Sequence, residues 1–535
     1  MAYPVYLMIG NIPKSTCWKP SRHAQMLVGY IPTTKLEGMT NQAARRRALA
    51  NLFHFCMQTL LNLIAAYSEG SISMMSGDGI WRRCHPVFAS FVGDYPEQAL
   101  VTCTFSGRCP KCVAPLDQMG EFTRFPLRSY DKAFDTFLLA DGDVRTFHAA
   151  CRKANLKPVF HPFWESFPLS NIFVSITPDI LHQLLQGVMK HLIAWLTCAL
   201  GPVTIDMRCR SLPPNHHIAT FAKGITGLSR VTGQEHKNIC RILLGLIIDS
   251  PLSSRDGPAH SMVVRSVRAL LDFLYLAQLP SQTRDTLHQL DDVLARFHDN
   301  KSIFVDLGIR EHFNFPKIHS LIHYSSSIAL FGTADNYNTE QTERLHIDTT
   351  KDAYEATNHK NEYPQMTTWM ERHEKVQKHF AFIKYQSQPE IDQTSMQIPQ
   401  PIGPPQPSVR CIKMALHPTV KAVSFDVLAE SYGAIEFQDA LADYIAQTNH
   451  PDLSATALRA RAANTLIPFR SVPVYHRIKF QLKGHPEVVD SIVVRPEQTD
   501  PCGRRIPPRF DTALIRHSSG SQDSMHGYNG KLKSY

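Results

Sequence analysis

Apolar residues dominate 3–10 (YPVYLMIG) and 24–31 (AQMLVGYI), and the polar turn NIPKSTCWKPSR between them predicts two strands. A helix is expected over roughly 41–66, where Ala, Leu and Phe recur at helical spacing behind Arg45, Arg46 and Arg47. Short runs at 86–92 (PVFASFV) and 171–176 (NIFVSI) read as further strands. The second run stops at Thr177-Pro178-Asp179, where Thr177 suits an N-cap and Pro178 the first helical position. Apolar residues then fall at 180, 181, 184, 185, 188, 189, 192, 193 and 196, the stripe of a helix that faces a core. Helical patterning continues to about 311, with 237–248 and 262–278 as examples, and a second helical block covers about 315–380. Between 386 and 409 the composition turns to Pro and Gln, which marks a linker. Residues 411–515 combine a helix at 435–447 with short strands at 472–480 and 489–495, as a small separate domain would. The polar tail from 517 reads as disordered, and there is no internal repeat.

At 535 residues the chain has room for two to four domains with real cores. No apolar run reaches about 18 residues, so no transmembrane helix is expected, and the N-terminus lacks the features of a signal peptide. A formal charge of +9 leans weakly toward polyanionic partners. Twelve cysteines are too sparse for a disulfide scaffold and suit a reducing compartment.

Candidate chemistry lies in three stretches. Asp179 stands where a strand gives way to a helix; it either complements the helix dipole or ligates a metal, and His182 shares its helix face. Downstream, NTEQTERLHIDTTK at 338–351 lets Asn338 cap a helix with Gln341 three residues on. Glu340, Glu343 and His346 then share one face, either as solvated surface or as a second acidic site of a two-metal centre. The third stretch is CTFSGRCPKC, in which Cys103 precedes Cys109-x-x-Cys112 and signals structural zinc rather than buried free thiols. Cys151 or His161 could complete that site, and Cys84, His85 and His148 are further options. Nothing near it supplies a base for activated water, so a catalytic zinc is not expected.

Taken together, YPVYLMIGNIPK, KPSRHAQMLVGYIPTTKLEG, GDYPEQALVTC, KPVFHPFWESFP, SITPDILHQLLQGVMKHL, VTGQEHKNICRILLGLIID and NTEQTERLHIDTTK resemble the Plavaka transposases of fungal genomes. That group belongs to the CACTA-like cut-and-paste DNA transposases. The similarity runs from residue 3 to about 380 and resumes at 466–515. The resemblance implies an α/β fold: a ribonuclease-H-like mixed sheet interrupted by a large all-helical insertion, plus a small α+β C-terminal domain. The corresponding layout is a core over 1–190 with a zinc-type loop at about 95–165, an insertion over 191–311 and a second core part over 312–382. A Pro/Gln-rich linker (383–410), a small domain (411–515) and a disordered tail (516–535) follow.

The resemblance also implies an Asp, Asp, Glu triad holding Mg²⁺ or Mn²⁺ for DNA strand cleavage and transfer. The family's D-x-x-H step matches Asp179 and His182, and its E-R helix start matches Glu343-Arg344, with Glu340 as the second choice. The 164-residue step from position 179 to position 343 would hold the insertion. His319 and His323 in FPKIHSLIHY read mainly as packed core histidines. Against the family layout the chain starts on the second strand, so it is expected to be cut short at both ends and to lack the first catalytic Asp. Strand cleavage by this chain alone is therefore not expected; the alternative is a non-catalytic DNA- or protein-binding remnant. Transposon ends and target DNA are the implied partners, with self-association, no membrane, and a nuclear site of action inferred from the DNA substrate.

Overall fold

The computed structural model describes residues 3–19, 22–76, 78–213, 218–250, 258–386, 410–413, 415, 417–482, 485–499 and 505–510. The chain divides into two units, Met1–Pro389 and Glu390–Tyr535. Most of the expected linker and the whole of the expected tail lie outside the described residues.

The larger unit opens with strands β1 (Tyr3–Met8) and β2 (Gln25–Ile31), paired antiparallel from Tyr3↔Ile31 to Met8↔Gln25 with a bulge between Val5 and Tyr6. Helix α1 (Gln42–Gly70) follows, its first turn capped by the Asn41 side chain, which accepts from the Ala44 amide at 3.0 Å. One side of α1 buries Ala50, Phe53, Met57 and Leu61 at three- and four-residue steps. These residues join Ile31, Val101, Phe137, Phe147, Trp164, Phe173 and Ile176 in one hydrophobic core. By length and composition α1 is apolar enough to cross a membrane, but one side of it is packed into this core, and the described residues hold no clear membrane span.

A second core is helical. It is built on α3 (Ile180–Met189), wound as a π-helix, and its continuation α4 (Lys190–Leu200). Around them pack α5 (Gly233–Ile247), α6 (Pro258–Ala277) and α7 (Arg284–Asn300), together with residues from 303 to 337. Thr232 and Glu235 form a capping box at the start of α5, which fixes where that helix begins. Ile176 belongs to the first core and Ile180 to the second, so residues 177–179 cross from one to the other. Helix α2 (Tyr95–Val101) lies beside this crossing, capped by Asp94. Downstream, α8 (Thr339–His346) and α9 (Glu362–Gln386) complete the unit.

Several local expectations change at the crossing. Residues 171–176 are not a strand: Ile172–Ser175 is a helical turn, because Asn171 accepts from the Phe173 and Val174 amides at 3.0 and 3.3 Å. Only Ile176 bridges Phe91, in parallel, and 86–92 likewise contributes a bridge instead of a strand. In place of the expected mixed sheet, the described residues hold small antiparallel sheets and this one parallel bridge. Asp179, not Thr177, is the N-cap of α3, and its side chain accepts from the His182 amide. The Thr177 hydroxyl is taken by the Phe91 carbonyl at 3.2 Å. At α8, Asn338 accepts from the Glu340 amide, and the Gln341 side chain is engaged by Gln25 at 2.8 Å, so no capping box forms there.

The π winding of α3 leaves no room at Gly187. A Cβ there would stand 2.7 Å from the His182 carbonyl oxygen and 2.8 Å from Cδ of Lys317. Gly187→Ala is expected to lower stability by about 1–3 kcal/mol, as over-packing does, in urea denaturation of the full chain. An unchanged midpoint would contradict this packing.

The smaller unit has its own sheet, in the order Arg509–Phe510, His485–Arg495, Arg477–Leu482, Arg410–Lys413, with every neighbour antiparallel. A second pair joins Val420–Ser424 to Ser471–Val474. Three helices, Phe425–Tyr432, Phe437–Asn449 and Ala455–Ala463, accompany it, and Val423, Leu428 and Tyr432 form its core.

Candidate functional site

Cys109 and Cys112 come from a loop after α2, and His319 and His323 from two consecutive helical turns, Pro316–His319 and Ser320–His323. Their ligand atoms all lie within 4.8 Å of one another, and all four residues are buried. Cys109 Sγ is 3.3 Å from His323 Nε2, and Cys112 Sγ is 3.0 Å from His319 Nε2. Zinc bonds of roughly 2.0 Å to nitrogen and 2.3 Å to sulfur give tetrahedral edges of roughly 3.3–3.8 Å, near these separations. The amides of Lys111 and Cys112 each donate to Cys109 Sγ at 3.4 Å, an arrangement that favours a thiolate. Burial alone would raise the Cys109 thiol, but hydrogen bonds with Cys112, His319 and His323 outweigh it and hold the thiol well below its usual range. Cys112 is driven upward by its hydrogen bond to Cys109 and by burial. Two thiols, one of them held toward its thiolate, and two imidazoles are a donor set that could hold a metal such as zinc in a closed site.

The other expected zinc ligands are elsewhere. Cys103 is buried with its sulfur 3.5 Å from His54 Nε2, and Cys151 is buried in the helix Val144–Lys153. His161 is at the surface, 3.2 Å from Asp141 and 3.4 Å from Glu165. Of the further options, His85 faces the Ser68 carbonyl at 3.3 Å, Cys84 ends the strand Trp81–Cys84, and His148 lies against Phe147. His319 and His323, expected as core residues, are buried as foreseen and also face the two thiols. The signal for them was their own four-residue spacing, which matches a C-x-x-C pair.

The Cys109–Cys112 loop also reaches the crossing at 177–179. Lys111, between the two cysteines, donates to the carbonyls of Val174 at 3.1 Å and of Ile176, and burial pushes its pKa down to about 8. Tyr324, next to His323, donates to the Asp179 carbonyl at 3.1 Å.

Asp179 itself is 1% exposed. Its carboxylate accepts from the His182 amide at 2.7 Å, the Thr339 amide at 3.0 Å and the Thr339 hydroxyl at 2.9 Å, and it faces His182 Nδ1 at 2.9 Å. Thr339 comes from α8, 160 residues downstream. His182 Nε2 lies 3.0 Å from Glu343 Oε1, so one imidazole links the two expected catalytic carboxylates. Hydrogen bonds to Asp179 and then Glu343 raise the His182 pKa to about 10 against the opposing effect of burial. His182 is therefore an imidazolium at neutral pH, donating from both nitrogens. Glu340 turns aside and pairs with Lys237 of α5 at 2.7 Å. Glu97 of α2 is also close by, receiving the Tyr3 hydroxyl at 2.5 Å, and burial raises its carboxyl. Glu97 was not anticipated from sequence, where it is one carboxylate of a short capped helix.

Residues 1–196 match the family model described as Plavaka transposase, and residues 385–531 match one described as a domain of unknown function (DUF6830). No curated protein matches the chain. The segment 1–196, which holds β1, β2, the Cys109–Cys112 loop and the Asp179 turn, is thus similar to the Plavaka transposases.

Proposed function

We propose that this transposase-derived protein works on DNA in the nucleus. Its ribonuclease-H-like core would bring Asp179 and Glu343 together in a closed, cleavage-incompetent arrangement. The observation that carries this reading is the saturated Asp179 carboxylate, joined through His182 to Glu343. The antiparallel β1–β2 pair, the parallel Phe91↔Ile176 bridge and the helical block between the two acidic segments support the core assignment.

A pair of Mg²⁺ ions needs carboxylate oxygens with free lone pairs facing a common space. Asp179 offers none, since Thr339 and His182 occupy both of its oxygens. Glu343 faces an imidazolium, and Glu340 faces Lys237. In this arrangement the residues do not fit the ion pair, and no cleavage step is derived through it. Zinc does fit at Cys109, Cys112, His319 and His323, where it would staple the loop to the segment that leads into α8.

Purified full-length chain with Mg²⁺ or Mn²⁺ is expected to nick transposon-end DNA no faster than the Asp179→Ala variant does. Metal-dependent nicking that disappears in Asp179→Ala would overturn the closed-site reading and make the protein an active nuclease.

A further inference from the structure

Three cations converge on His191, at the start of α4. Lys190 is exposed beside it, and Lys190, Arg310 and Lys317 all lie within electrostatic reach of its ring. Two of the three are fixed in position. The Arg310 guanidinium lies over Trp195 at 5.6 Å and over Phe315 at 5.1 Å, and its Nη2 donates to the His312 carbonyl at 3.1 Å. The Lys317 side chain runs across Gly187, where a Cβ would stand 3.4 Å from its Nζ. The His191 ring packs on Phe315 at 5.2 Å, so the cluster has an aromatic floor.

Among the described residues, no carboxylate forms an ion pair with Lys190, Arg310 or Lys317. An ordinary solvated face mixes the two signs of charge, and its long side chains are free to move. Here three like charges are held together, and two of them are preorganised by stacking and by packing against a glycine. The arrangement is unfavourable by itself and is relieved by a polyanion. The cluster also adjoins the acidic turn: Lys317 is within reach of Asp94, the cap of α2, and Gln98 of that helix bonds Gln183, one turn from Asp179.

We propose that Lys190, Arg310 and Lys317 form a contact surface for the phosphodiester backbone of duplex DNA, leading to the Asp179 turn. The identity of the polyanion rests on the transposase reading above; the surface rests on the geometry. Phosphates of a duplex carry the charge that such a cluster of cations lacks, and each contact releases counterions.

The test is fluorescence anisotropy with a labelled duplex of random sequence and the full-length chain, over a series of salt concentrations. Lys190→Gln combined with Lys317→Gln is expected to weaken binding on the order of 10-fold and to reduce the slope of log K against log salt by about 2. Lys375→Gln combined with Lys378→Gln, on the exposed helix α9, is the control and is expected to leave both unchanged. Circular dichroism melting of each variant separates lost binding from lost folding. Should the Lys190/Lys317 variant stay folded and bind with unaltered slope, the surface is not used. Poly-glutamate competing as well as DNA at equal charge would also overturn the proposal, as would absence of binding by the unaltered chain. Nicking is measured separately, so a closed-site reading that fails there leaves this result standing on its own.

Discussion

Chelation of the purified chain is expected to release one equivalent of zinc and to destabilise the unit spanning Met1–Pro389. A ligand bound only by the folded state adds about 4 kcal/mol when it is present a thousandfold above its dissociation constant. A structural Cys2His2 site lies in that regime. The loss should be large because the site ties the loop at 109–112 to the turns at 316–323, segments far apart in the chain. It should also spread, since Lys111 and Tyr324, neighbours of the ligands, hold the backbone at Val174, Ile176 and Asp179. Cys109→Ser combined with Cys112→Ser should abolish metal retention, and His319→Ala should weaken it strongly. Cys103→Ser and Cys151→Ser should each retain the full equivalent, because neither sulfur faces the site. Metal analysis of the dialysed variants checks all four. A full equivalent retained after loss of both Cys109 and Cys112 would falsify the ligand set.

The second large effect is expected at the acidic turn. His182 has a folded-state pKa of about 10 against an ordinary value of about 6.5. Its stabilising contribution is therefore complete below pH 6.5 and disappears as the pH rises through 10. The side chain is 27% exposed, and after allowance for solvent screening the contribution is on the order of 2 kcal/mol. Denaturation midpoints of the unaltered chain and of His182→Gln should differ most at pH 6.5 and converge toward pH 10. Asp179→Ala should cost more, about 3–5 kcal/mol, because it leaves the half-buried His182 imidazolium and the buried Thr339 amide without their acceptor. A pH-independent difference between His182→Gln and the unaltered chain would remove the imidazolium from the account.

Sequence periodicity located the elements whose signals are local. The β1–β2 pair, α1 and the helices from 233 to 300 lie where apolar runs and helical spacing predict them. What failed at 171–179 was a contest between neighbours. A β-branched run suggested a strand, while the Asn171 side chain supplied hydrogen bonds that close a helical turn, and Asp179 outcompeted Thr177 as the cap. The C-x-x-C half of the candidate metal site was readable because its spacing is local. Its partners were not, since nothing in the sequence says that His319 and His323 fold back onto a loop some two hundred residues earlier. Cys103 was closer in sequence, but its positive φ turns it into the core toward His54. At the acidic turn, Asp179, His182 and Glu343 came from family motifs, and the structure brings them together through one imidazole. Thr339 escaped notice because a threonine in the first turn of a helix looks like ordinary capping chemistry.

The function proposed here depends on His182 joining the carboxylates of Asp179 and Glu343, and nitrogen NMR of the full chain carrying ¹⁵N-labelled histidine reports on that ring directly. With His182→Gln used to assign its resonances, both ring nitrogens should have protonated shifts at pH 8 and should titrate only toward pH 10. A His182 ring that titrates near pH 6.5, with one nitrogen unprotonated at pH 8, would mean that the two carboxylates are not bridged.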